Sequence, residues 1–130
     1  MVVGLGLVDP ALLPRDVAIS SITLAELAAG PHATTDPAER ARRQDRLQRV
    51  EATLSPLPFD AAAARAYGVL YAAVASLGRK ARGRRAIDLL IAAVALANGL
   101  PLFTRNPDDF AGLESLVDIV ALPPASDAKS

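Results

Sequence analysis

The chain has 130 residues and a mass of 13.5 kDa, a size that suits one compact domain. Its hydrophobic fraction of 52% excludes a disordered chain, and Pro, Gly and charged residues break every apolar run before the roughly 20 residues needed to cross a bilayer. The lack of Cys and the single His exclude a disulfide scaffold, a thiolate metal site and a His-pair zinc site. Because no export signal is visible at the N-terminus, we expect a cytoplasmic protein whose polar chemistry comes mainly from carboxylates, arginines and hydroxyls.

Charge is balanced over the whole chain, with 14 basic and 14 acidic residues, but it is not evenly distributed. The stretch from Arg40 to Arg85 holds 11 basic and 3 acidic residues, whereas the rest of the chain holds 3 basic and 11 acidic residues. This asymmetry allows one pole to bind a cation and the other to bind a polyanion. Arg-rich helices that are simply well solvated would produce the same pattern.

Hydrophobic patterns and capping residues predict strands that alternate with helices. The predicted elements are a strand over 17–20, helices over 24–29 and 37–51, a strand over 57–59, helices over 61–77 and 86–98, a strand over 102–104, a turn or short 3₁₀ segment over 105–110, and a strand over 117–122. Thr23 is the predicted N-cap of the first helix, with Glu26 completing a capping box, and Asp36 and Asp60 cap the next two helices. The inner face of the helix over 61–77 is predicted to consist of Val69, Leu70, Ala73 and Leu77.

This alternation predicts an α/β fold, a three-layer sandwich with a mostly parallel sheet between helices. The predicted domain covers residues 1–122, followed by a flexible tail over 123–130. Ligands of such sheets gather at the carboxyl ends of the strands, and both Glu26 and the segment Asn106–Asp109 come after predicted strand ends. Asp88 stands near the start of an otherwise apolar helix, where burial of its charge is costly.

Convergence of Glu26, Asp88 and the pair Asp108 and Asp109 would require protonation or a bound cation to relieve their repulsion. Ligands that are all oxygen select Mg²⁺ or Mn²⁺, which can activate a water molecule and stabilise charge on a phosphate. A basic segment beside them would then hold the backbone of a polyanion; its members are Arg79, Lys80, Arg82, Arg84 and Arg85. The residues therefore predict metal-dependent phosphodiester hydrolysis.

Each acidic residue also has a purely structural explanation. Glu26 could serve only its capping box, and Asp88 could be a first-turn carboxylate favoured by the helix dipole. Asp108 and Asp109 are residue types common in turns.

Three segments resemble the downstream motifs of PIN-domain ribonucleases, with VapC-type toxins of bacterial toxin–antitoxin pairs as the nearest pattern. The segments are Ile22-Thr-Leu-Ala-Glu26-Leu, Ala86-Ile-Asp88-Leu-Leu-Ile-Ala-Ala and Leu102-Phe-Thr104-Arg-Asn106-Pro-Asp-Asp109-Phe. The resemblance covers residues 2 to 122. It implies an endoribonuclease that uses Mg²⁺ or Mn²⁺, a cognate antitoxin as partner, and a homodimer.

The same resemblance implies roles for individual residues. Glu26 matches the second acid of the family and Asp88 the third, a direct metal ligand. Asn106 stands where the family often has Asp, so the fourth acidic role passes to Asp109 or, less favourably, to Asp108. Thr104 would orient the neighbouring carboxylates.

The N-terminus departs from the family pattern, because the segment Met1–Pro10 resembles the stretch just downstream of the family's first acidic motif. Asp9 precedes a proline and is interpreted as a turn or cap residue, not as the first metal ligand. We therefore expect the first strand to be truncated or missing, either because the true start codon lies upstream of Met1, which we favour, or because the protein is a variant without that strand. Both explanations predict poor folding or slow cleavage.

Two further functions are compatible with the sequence. The first is a catalytically inactive PIN-like module that binds antitoxin or RNA without turnover, which Asn106 and the absent first acid favour. The second is a small metal-dependent phosphatase, against which the sequence offers no Gly-rich phosphate-binding loop.

Overall fold

The computed structural model describes residues 2–3, 18–80 and 82–121. Within these ranges the strands are β1 (Val2–Val3), β2 (Ala18–Ser20), β3 (Pro56–Leu57), β4 (Leu102–Thr104) and β5 (Ile119–Ala121). The α-helices are α1 (Ser21–Ala29), α2 (Pro37–Thr53), α3 (Ala61–Ser76) and α4 (Arg84–Ala97), and 3₁₀ helices cover Gly30–Ala33 and Pro107–Phe110. Asp9, Ala81 and the predicted tail lie outside the described residues. None of the helices in these ranges is long and apolar enough to span a membrane.

All the strand pairs are parallel, and the strand order is β3-β2-β1-β4-β5. The first strand is therefore short, at two residues, but it is not missing: Val2 pairs with Ala18 of β2 on one side and with Leu102 of β4 on the other. After β1, the chain adds β2 and β3 on one side of it and then β4 and β5 on the other side. The position between β1 and β4 is therefore a topological switch point. Ligands of doubly wound sheets bind outside the carboxyl ends of the strands at this point.

Helices cover both faces of the sheet, which confirms the predicted three-layer architecture. On one face Ile19 of β2 packs in a cluster with α1 and α2, and Phe103 of β4 lies against it. On the other face Leu102 of β4 packs in a larger cluster with α3 and α4. Neighbouring residues of one strand point to opposite faces, so Leu102 and Phe103 separate the two cores.

The first helix begins earlier than its predicted cap. Ser20, the last residue of β2, is the N-cap of α1, and its Oγ accepts a hydrogen bond from the backbone N–H of Thr23 at 3.0 Å. The predicted cap at Thr23 is wrong because the strand runs into the helix without a loop. Glu26 consequently lies inside the helix and is not part of a capping box. The caps at Asp36 and Asp60 are confirmed, since each carboxylate accepts from a first-turn N–H.

The inner face of α3 matches the predicted one at Leu70 and at the partly buried Ala73 but differs from it at Val69 and Leu77. Leu70 and Val74 are buried against α4, whereas Val69 and Leu77 are about half exposed, at 52% and 53%. The helix turns its small residues Ala63 and Ala66 inward with Leu70, and this phase leaves Val69 facing outward.

Helix α4 also begins earlier than predicted, at Arg84 instead of Ala86. Its N-cap is Gly83, whose φ of 57° lies in the left-handed region that favours glycine. The helix is buried almost continuously from Asp88 to Ala95, as its apolar sequence predicts. The early start places Arg84 one helical turn before Asp88, on the same side of the helix.

Candidate active site

Helix α1 carries Glu26 to the carboxyl edge of the sheet. The Glu26 side chain is only 21% exposed, and its Oε2 accepts a hydrogen bond from Nη1 of Arg84 in α4. The other oxygen, Oε1, is buried and has no hydrogen-bond partner within the described part of the chain. A buried carboxylate oxygen without a donor is costly, so this atom is available to a ligand that the described side chains do not supply.

Asp88 is the most deeply buried carboxylate of the site, with 7% of its side chain exposed. Its Oδ1 lies 3.1 Å from Nε of Arg84. Burial raises the pKa of Asp88, Arg84 opposes this shift, and the negative charges of Asp109 and Glu26 add to it. Asp88 shares Arg84 with Glu26 and lines one cavity with Asp109, so the three predicted acidic residues lie in one region of the structure.

The loop after β4 contributes the remaining predicted positions. Thr104 is buried, and its Oγ1 accepts a hydrogen bond from the backbone N–H of Asn106 at 3.0 Å. The carbonyl of Asn106 in turn accepts from the N–H of Asp109 at 3.0 Å. Thr104 therefore holds the turn that carries Asp109, and it acts on the position of Asp109 through the backbone of Asn106.

A cavity of about 270 Å³ opens over this edge. Its lining residues are Arg82, Arg84, Arg85, Asp88 and Asp109. Asp108 and Asp109 are both exposed, but only Asp109 lines the cavity, so the geometry favours Asp109 over Asp108 for the fourth acidic position.

The predicted basic residues have different surroundings. Arg82 and Arg85 line the cavity, while Lys80 is exposed away from it. Arg79 donates from Nη1 to the carbonyl of Ala111 at 3.2 Å and so binds the loop after the Pro107–Phe110 helix. Arg84 lines the cavity as well, and it also contacts Glu26 and Asp88, which the sequence analysis did not predict. Its spacing of four residues before Asp88 is the sequence signal that could have revealed this contact.

The carboxylates suit a hard divalent cation in chemical type, since all the available donors are oxygens. The unpartnered Oε1 of Glu26 and the burial of Asp88 fit such an ion. Among the described residues, however, no group of three or more acidic, His or Cys side chains is arranged to hold a metal. Arg84 contacts the carboxylates of both Glu26 and Asp88, so these two carboxylates can bind one ion only after the Arg84 side chain moves.

A doubly wound parallel sheet with carboxylates beside its switch point defines an α/β protein with an acidic candidate site. The PIN domain family model matches residues 7–115. The chain belongs to the PIN-domain family.

Several relatives are similar over most of their length. The chain is 40% identical over 111 residues to Ribonuclease VapC5 of Mycobacterium tuberculosis (strain ATCC 25618 / H37Rv), covering 85% of this chain and 78% of that protein. The crystal structure of VapBC-5 from Mycobacterium tuberculosis, a member of the VapBC family of toxin–antitoxin systems, matches with a TM-score of 0.76 and 36% identity, covering 92% of this chain and 98% of that chain. The structure of VapBC2 from Rickettsia felis, bound to a DNA fragment from its promoter, matches with a TM-score of 0.70 and 25% identity. The match covers 95% of this chain and 100% of that chain.

Proposed function

We propose that this protein is a metal-dependent endoribonuclease that acts in the cytoplasm as the toxin of a toxin–antitoxin pair. The observation that supports the proposal is that Asp88 shares the Arg84 guanidinium with Glu26 and lines one cavity with Asp109, which brings three carboxylates to one region of the structure. The similarity to Ribonuclease VapC5 supports the choice of RNA as substrate.

Asp88, Glu26 and Asp109 would hold Mg²⁺ or Mn²⁺, which supplies an activated water and stabilises charge on the scissile phosphate. Burial of Asp88 in α4 keeps its carboxylate in one position, and the turn held by Thr104 positions Asp109. Arg82 and Arg85 line the same cavity and would bind the phosphates of the RNA strand. Lys80 and Arg79 lie further along this basic segment and would extend that contact.

The proposed partner is a cognate antitoxin, because two of the structural relatives are VapBC toxin–antitoxin proteins. A homodimer is proposed as the form in which the toxin acts. Purification with its neighbouring antitoxin and measurement of the mass of the assembly would test both points. A monomer that does not retain any antitoxin would contradict them.

The test of activity is cleavage of a labelled single-stranded RNA with Mg²⁺, with Mn²⁺ and with EDTA. We expect cleavage with either ion and none with EDTA. Glu26→Gln should slow cleavage by more than about 100-fold, because even an outer partner of a metal ligand typically accounts for about 10- to 100-fold. The matched control is Asp45→Asn, which removes an exposed carboxylate paired with Arg49 on α2 and should leave the rate unchanged.

The inactive binding module is the alternative, and Asn106 at a position where the family often has Asp favours it. It predicts that the protein binds RNA or antitoxin but does not cleave RNA at any Mn²⁺ concentration. Retained RNA binding without turnover, in a preparation whose fold is intact, would establish the alternative and exclude the nuclease.

A further inference from the structure

The Arg84 side chain lies between two carboxylates that belong to different helices. Its Nη1 donates to Oε2 of Glu26 in α1, and its Nε lies 3.1 Å from Oδ1 of Asp88 in α4. A guanidinium presents several N–H donors in one rigid plane, so a single Arg can bind two carboxylates at once. Arg84 therefore links α1 to α4 across the edge of the sheet where the candidate site lies.

The electrostatics of the three side chains explain this arrangement. Burial lowers the pKa of Arg84, but its hydrogen bond to Glu26 and the charge of Asp88 outweigh that effect and raise it, so the guanidinium stays charged. The negative charges of Asp109 and Glu26 add to the effect of burial in raising the pKa of Asp88, so its ionised form is favoured by a nearby positive charge. Arg84 supplies that charge from within the chain.

The Arg84 side chain is nevertheless not locked in place. It is 50% exposed and lines the cavity of about 270 Å³ together with Asp109. A long side chain that is half in solvent can reorient into the cavity without unfolding its helix. The carboxylates that it contacts, Glu26 and Asp88, are those that the proposed function assigns to the divalent ion.

We propose that Arg84 is an internal counter-cation that competes with the divalent ion for Glu26 and Asp88, so that the ion binds only when the Arg84 guanidinium moves away from them. This inference rests on the proposed metal dependence. It assigns Arg84 a positioning role, in contrast to the RNA-contacting role expected from its place in the basic segment. The competition sets the concentration of Mg²⁺ at which the site assembles.

The competition makes the apparent affinity for a divalent ion weaker than the intrinsic affinity of the carboxylates. Arg84→Gln removes the competitor and should tighten Mn²⁺ binding by roughly tenfold, because the fraction of molecules with free carboxylates rises. The matched control is Arg82→Gln, which removes the same charge from the same cavity but has no ion pair with either carboxylate among the described residues. It corrects for the general electrostatic gain from loss of a positive charge.

The experiment is calorimetric titration of Mn²⁺ into the full chain and into the Arg84→Gln, Arg84→Lys and Arg82→Gln variants, with circular dichroism as the check of folding. Arg84→Lys keeps the charge without the planar fork and should give an affinity between those of wild type and Arg84→Gln. As a readout that needs no variant to fold, the ¹H–¹⁵N resonance of Arg84 Nε in the wild-type protein should shift on addition of Mg²⁺, as the guanidinium leaves Asp88.

Four outcomes decide the matter. Tighter Mn²⁺ binding by Arg84→Gln than by Arg82→Gln, together with the shift of the Arg84 resonance, supports the competition. Equal affinities of the two variants, or weaker binding by Arg84→Gln, overturn it and leave the proposed metal-dependent nuclease standing. An Arg84 resonance that ignores Mg²⁺ while calorimetry records binding overturns it as well. Failure of every protein to bind Mn²⁺ overturns both the competition and the metal dependence on which it rests.

Discussion

Replacement of Ser20 by Ala tests whether Ser20, at the junction between β2 and α1, is the N-cap of helix α1. Ser20 is fully buried, and its Oγ accepts from the Thr23 backbone N–H at 3.0 Å and lies 3.0 Å from Thr23 Oγ1. Loss of an N-cap costs about 1 kcal/mol. The buried Thr23 hydroxyl would also lose a partner, which adds about 1 kcal/mol. Together these losses lower the free energy of unfolding by about 2 kcal/mol, or the Tm by about 7 °C for a chain of this length.

Thermal unfolding followed by circular dichroism measures this change. Ser76→Ala is the matched control, because its exposed hydroxyl donates to the Ala73 carbonyl and its loss should cost less than about 0.5 kcal/mol. Adding Thr23→Val to Ser20→Ala should restore part of the stability, since removal of both polar partners leaves neither unsatisfied. Equal Tm values for Ser20→Ala and Ser76→Ala would refute the reasoning and restore Thr23 as a candidate cap.

Three further predictions rest on burial and charge. Leu70→Ala should lower the free energy of unfolding, measured by urea denaturation, by about 2–5 kcal/mol because Leu70 is buried. Val69→Ala, on the outer face of α3, should change it by less than about 1 kcal/mol. Equal losses would contradict the observed orientation of the helix. Burial raises the pKa of Asp88 in the folded protein, so the contribution of Asp88 to stability should fall as the pH rises above the ordinary Asp range. In EDTA, Asp88→Asn should therefore gain stability relative to wild type between pH 3 and pH 7, and a constant difference across this range would count against the shift. Arg82→Gln should reduce the slope of log affinity for RNA against log salt by roughly one, and an unchanged slope would exclude a phosphate contact there.

The layer architecture and the family were predictable because their signals are local and repeated. Short apolar strands alternating with capped helices indicate a parallel sheet, and the structure confirms it. The three motifs around Glu26, Asp88 and Asn106 predicted a PIN domain, which the family match confirms. Asp36 followed by Pro37 predicted a helix start that the structure reproduces.

The errors in the prediction from sequence have two physical origins. One is competition between neighbouring residues that could each cap a helix, and the other is contacts between residues that are distant in sequence. Thr23 and Ser20 both suit an N-cap, and only the end of β2 decides between them. The phase of α3 depends on its packing against α4, which the period of its many alanines does not specify. The bridge from Arg84 to Glu26 joins two residues that are 58 positions apart in sequence, so no local pattern contains it.

The central claim is that Asp88 binds the ion that the cleavage of RNA requires. Its most direct test is the rate of Mn²⁺-dependent RNA cleavage by Asp88→Asn, with Asp45→Asn as control and circular dichroism as the check of folding. We predict a folded Asp88→Asn protein without measurable cleavage, beside a control with the wild-type rate. Cleavage by folded Asp88→Asn at the wild-type rate would contradict the account.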